Sequence, residues 1–100
     1  MADEILIKPG LIADHGWLFD VTFAGRRHAV ACGQVYWKKL TRGDIAPMHL
    51  VRLGLQLAMK RKVTDSLPEK FNLEDLANRI HDFEKEVRLD AQVEATSNPI

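Results

Sequence analysis

The run Trp17-Leu18-Phe19-Asp20-Val21-Thr22-Phe23 constrains the fold more than any other stretch of the chain. Successive side chains of a β-strand point to opposite faces, so this spacing sends Trp17, Phe19, Val21 and Phe23 to one side and Asp20 and Thr22 to the other. Ala24-Gly25-Arg26-Arg27 follows, and Gly25 can supply the positive φ of a tight reversal. The next strand then carries His28, Val30 and Cys32 on one face and Ala29 and Ala31 on the opposite one. This is a β-hairpin. Upstream, Ile5-Leu6-Ile7 reads as another short strand, ended by the turn signal Pro9-Gly10.

From about Gln34 the period changes. Tyr36 and Leu40 lie four apart, and Gly43 follows Thr41-Arg42 where a helix needs a left-handed residue to stop. Pro47 suits the first turn of a second helix, because its missing N–H would be unpaired there anyway. In this helix, read over 47–61, Met48, Leu50, Val51, Leu53, Leu55, Leu57, Ala58 and Met59 cover most of the circumference. His49, Arg52, Gln56 and Lys60 form one narrow polar stripe. Such a helix is either central to the domain or buried on a second side by a partner, and in so short a chain the partner is the favoured reading. Beyond the linker Ser66-Leu67-Pro68, Asn72 reads as a helix cap, with Phe71 and Leu76 as its hydrophobic staple. Leu73, Leu76, Ala77, Ile80, Phe83 and Val87 continue an apolar stripe as one amphipathic helix or a bent pair.

The expected fold is α+β: a small antiparallel β-hairpin or meander followed by about three helices. It forms a single domain over residues 1–91, with a flexible tail over 92–100. A chain of 100 residues supports one modest core and leaves little room for an enclosed cofactor, so none is expected. Cys32, the one cysteine, excludes an intramolecular disulfide and a multi-thiolate zinc site. The start lacks a basic region followed by a long apolar one, and no segment approaches the roughly 20 apolar residues that cross a bilayer, so the expectation is a cytoplasmic protein without a membrane partner.

Fourteen basic and fourteen acidic residues balance overall, but their distribution is uneven. Residues 1–34 carry net −1, residues 35–62 net +6 and residues 63–100 net −5. The basic middle can face the acidic third within the fold, or meet phosphates. The four histidines, at 15, 28, 49 and 81, form no metal-ligand spacing, and no metal site is expected. His28 and Cys32 share a strand face but stand about 13 Å apart along it, too far for a thiolate–imidazole pair. Ser66 and Ser97 belong to no nucleophile elbow, and the scattered glycines form no phosphate-cradling loop. Asp82, Glu84 and Glu86 alternate with Arg79, Lys85 and Arg88 as a solvated helical face. No catalytic residues are assigned. Among the aromatic residues Trp37 stands out, since it points about 100° away from the Tyr36 and Leu40 side of its helix.

Three stretches together, Phe19-Asp20-Val21-Thr22-Phe23-Ala24-Gly25-Arg26-Arg27-His28-Ala29-Val30, Tyr36-Trp37-Lys38-Lys39-Leu40-Thr41-Arg42-Gly43 and Ala46-Pro47-Met48-His49-Leu50-Val51, resemble a family of short, functionally uncharacterised prokaryotic proteins. In that family a hairpin leads into an aromatic-rich helix, a proline-started helix and a downstream helix opened by a Phe-x-Leu motif, matched here by Phe71-Asn72-Leu73. The resemblance spans about residues 19–87 and implies the fold, with no activity attached.

The favoured function is a small non-catalytic protein–protein interaction protein, an accessory subunit or regulator of a larger complex. Its expected partner surface, for another protein or a second copy, is Trp37, Arg52, Leu53, Gln56 and Leu57, because monomers seldom leave a large apolar patch exposed. The alternative is a nucleic-acid or nucleoprotein-binding module using Lys38, Lys39, Arg42, Lys60, Arg61 and Lys62, with affinity that falls steeply with salt. A small enzyme has the least support.

Overall fold

The computed structural model describes residues 5–13, 15–23 and 25–97. Its elements run β1 (Leu6–Ala13), β2 (Gly16–Phe23), β3 (Arg26–Gly33), α1 (Gln34–Thr41), α2 (Pro47–Lys60), β4 (Lys70–Asn72), α3 (Asp75–Arg79) and α4 (Phe83–Ser97). The α+β reading holds: a three-strand meander precedes the helices, and β4, which follows α2, completes a sheet of order β1-β2-β3-β4. β1, β2 and β3 form the antiparallel meander, with Val21 opposite His28 and Phe23 opposite Arg26 at the hairpin end. Gly25 takes φ 74° there, a conformation that costs a residue without Cβ little.

The structure corrects the sequence reading in three places. Pro9-Gly10 does not end the first strand; β1 continues to Ala13, and its pairing with β2 shifts between Lys8 and Leu11. The extra residue is taken up as a β-bulge, which bends the strand without breaking it. A Cβ on Gly10 would lie 1.2 Å from the Leu18 carbonyl oxygen, so the close crossing of the two backbones requires glycine. The second correction concerns Phe71 and Asn72, which open no helix. They lie in β4, parallel to β3, with Val30 beside Phe71 and Ala31 beside Asn72. Ala29 N–H donates to the Glu69 carbonyl and Leu73 N–H to the Ala31 carbonyl, both at 2.7 Å. The third concerns the tail expected from residue 92: α4 runs on as helix through Ser97, and residues 98–100 lie outside the described residues.

A parallel pair needs a crossover, and here α1 and α2 form it, packed on one face of the sheet. Phe19, Val21, Phe23, Val30, Cys32 and Phe71 project from that face into the core. α4 lies on the far side of α1 and α2, so α2 is a middle layer. Leu50, Val51, Leu53, Leu55, Leu57 and Ala58 are all buried by the chain itself. This explains the apolar circumference of the helix.

The turn between α1 and α2 is braced from three directions. The Thr41 hydroxyl donates to the Trp37 carbonyl and accepts from Gly43 N–H. Trp37 Nε1–H donates to the Ile45 carbonyl at 2.8 Å, and its indole meets Trp17 edge-to-face at 5.4 Å. Arg42 closes α1 in the left-handed region, φ 57°, followed by Gly43 at φ 81°.

Candidate functional site

The residues expected to meet a partner are mostly spoken for inside the domain. Leu53 is 6% and Leu57 5% exposed, so neither is available at the surface, and the exposed apolar patch inferred for α2 does not exist. Arg52 donates from Nη1 to the Ile5 carbonyl at 3.2 Å, tying α2 to the chain entering β1. Trp37 is half-buried and spends its N–H on the turn. Gln56 is exposed.

The basic middle meets the acidic third. Glu84 of α4 accepts the Tyr36 hydroxyl at 3.0 Å through Oε2 and lies 3.5 Å from Lys39 Nζ through Oε1. Burial, with the Glu84 hydrogen bond and charge adding to it, pushes the Tyr36 phenol above its ordinary range. Arg61 pairs with Asp82 at 2.6 Å and Glu86 at 3.7 Å. Lys39 and Arg61 are thus engaged by carboxylates, whereas Lys38, Arg42, Lys60 and Lys62 are exposed.

His28 is buried between Phe23 and Phe71, with ring centroids at 4.8 and 5.7 Å. Its Nδ1–H donates to the Pro68 carbonyl at 2.8 Å, while buried Nε2 meets no partner among the described residues. It holds the β4 segment against β3. Burial raises the Cys32 thiol to about 12, so it stays protonated and is a poor nucleophile. Among the described residues no three metal-binding side chains come together, and no helix is long and apolar enough to cross a membrane.

Two of the surface concavities among the described residues bear on binding. The first lies on the sheet face that the helices leave open. Register sets Leu11 beside Leu18 and Lys8 beside Asp20, with Ala29 next along from Asp20 and Lys70 beyond it. The small Ala29 and Gly10 let the surface sink, giving an apolar groove of about 370 Å³ that also borders Arg27 and Lys70. Leu11 is 75% exposed, and Ile12, at the end of the same strand, 86%. Arg27 and Asp20 form an exposed pair at 3.0 Å beside it. Sequence reasoning missed this groove, although the outward alternation of Leu18, Asp20, Ala29 and Ala31 was its visible signal.

The second is a polar cleft of about 360 Å³ between the end of α1 and α4, lined by Lys39, Thr41, Arg42, Asp44, Arg88 and Gln92. Arg88 belongs to the charged face expected from the sequence, and nothing local to it signals that it lines the same cleft as Arg42. Comparison of the chain with protein-family models, with curated proteins and with solved structures gives no match.

Proposed function

We propose that this chain is a small non-catalytic protein–protein interaction protein, an accessory subunit or regulator of a larger cytoplasmic complex, and that it docks through the open sheet face instead of through α2. The observation that carries the reading is the apolar groove beside Leu11 and Leu18 on a face that no helix covers. Its occupant is an apolar segment of a different protein, flanked by carboxylates. Around the groove stand Lys8, Arg27 and Lys70, against Asp20, which Arg27 already neutralises, and Glu69 at the rim. Carboxylates on a partner meet the net-positive rim of Lys8, Arg27 and Lys70 favourably. Membership of the uncharacterised prokaryotic family belongs to the same proposal and adds a fold without an activity. The nucleic-acid reading keeps exposed Lys38, Arg42, Lys60 and Lys62 in its favour and has the acidic α4, packed beside them, against it.

The test is a tagged pull-down from native lysate with the wild-type chain and with Leu11→Ser/Leu18→Ser, each split into nuclease-treated and untreated halves and washed at low and high salt. A protein retained after nuclease and high salt by the wild type, and lost by the variant, is the expected result. Equal recovery by the variant refutes the docking face. Recovery that disappears with nuclease moves the function to nucleic acid.

A further inference from the structure

We propose that the cleft between the end of α1 and α4 is a binding site for phosphate groups, independent of the docking face on the sheet. Lys39 and Arg42 reach it from the end of α1 and Arg88 from α4, against one carboxylate, Asp44, among the described residues that line it. Lys39 is shared with Glu84 at 3.5 Å, so the two arginines are the principal donors. Guanidinium groups suit phosphate because their planar fork matches two oxygens at once. Cations converging in one concavity repel each other, and a multivalent anion relieves that repulsion.

Three further features support the assignment. Arg42 takes φ 57° directly before Gly43, a backbone position where glycine is favoured, so the turn itself does not ask for an arginine. The segment carrying Arg42 and Asp44 is held by the Thr41 hydroxyl and by the Trp37 indole bonded to the Ile45 carbonyl, so the donors sit on fixed backbone. The cleft volume of about 360 Å³ falls within the range of small-ligand sites. The carbonyl end of α1 opposes an anion with about half a charge, less than the side-chain cations contribute.

The phosphates can come from a small phosphorylated molecule or from a nucleic-acid backbone, and two arms of one experiment separate them. Calorimetric titrations with pyrophosphate and with a mixed-sequence single-stranded DNA oligonucleotide are run on the wild type, Arg42→Gly, Arg88→Ala and the double variant. Arg42→Gly suits the left-handed backbone and Arg88→Ala lies on an exposed helical face, so both keep the fold, as circular dichroism will show. Saturable binding of pyrophosphate, weakened about tenfold by each substitution, is the expected result. Lys70→Ala, on the sheet face, leaves it unchanged. If the oligonucleotide binds through the same arginines with a steep salt dependence, the source is a nucleic-acid backbone. No saturable binding of either compound, or binding indifferent to both arginines, overturns the proposal.

Discussion

Gly54 sits in the middle of α2, where an alanine would ordinarily stabilise the helix by about 1 kcal/mol. The packing around it opposes that gain. A Cβ at this position would lie 2.8 Å from Leu73 Cδ1 and 3.2 and 3.4 Å from two ring carbons of Phe83. The first distance is shorter than carbon–carbon contact allows. Leu73 is flexible at its end, but both it and Phe83 are fully buried, so neither has free space to move into. Overpacking a filled core by a methyl costs about 1–3 kcal/mol, which exceeds the helix gain over most of that range. Gly54→Ala is therefore expected to lose about 1 kcal/mol net, lowering the thermal midpoint by about 4–8 °C for a domain of this size. Urea melts of Gly54→Ala, Leu73→Ala and the double variant check the cause. Leu73→Ala alone costs about 2–5 kcal/mol, and in its cavity the methyl added at position 54 should become neutral or stabilising, giving a favourable coupling between the sites. A Gly54→Ala variant more stable than wild type, or strict additivity in the double variant, refutes the argument.

Further outcomes follow from buried acids. Cys32, pushed up to about 12 by burial, should resist iodoacetamide in the native state and react once urea unfolds the chain; rapid labelling without denaturant contradicts its placement. Tyr36 and Cys32 both have folded-state pKa values raised above their ordinary 10.0 and 9.0, so the folded state retains protons that the unfolded chain gives up. Stability should be fully present below about pH 9 and fall as pH rises beyond it. As Tyr36 is the only tyrosine, the phenolate absorbance should appear together with alkaline unfolding and not before it. Tyr36→Phe should remove the tyrosine part of the slope and cost about 1 kcal/mol for the hydrogen bond to Glu84.

The parts of the fold legible in the sequence are those specified by neighbours along the chain. Alternation from Trp17 to Phe23, the Gly25 reversal and the Pro47 start each depend on a few adjacent residues, and each is where the pattern puts it. β4 has one inward residue, Phe71, between Lys70 and Asn72, too short for a period to register. Its strand character comes from pairing with β3, while Asn72 and the Phe71/Leu76 spacing imitate a helix start. At Pro9-Gly10 the turn signal was real but was absorbed as a bulge against β2. The apolar circumference of α2 was visible; which neighbour covers it was not, because α4 lies more than twenty residues downstream. The same limit applies to the cleft, whose two arginines, one capping α1 and one within α4, lie far apart in the sequence.

The parallel pairing of Ala29 with Lys70 also sets an order on folding. The three-strand meander joins adjacent stretches and closes short loops, whereas β4 can join only after the whole α1–α2 segment has been drawn in, at a larger entropic cost. Until then the inward side of the meander, with Phe19, Val21, Phe23 and Val30, has no lid, and α2 has no cover on its back until α4 arrives. A partly made chain therefore presents sticky surface at two successive stages, and the second ends when the last helix docks, with Glu84 beside Lys39 and Glu86 beside Arg61.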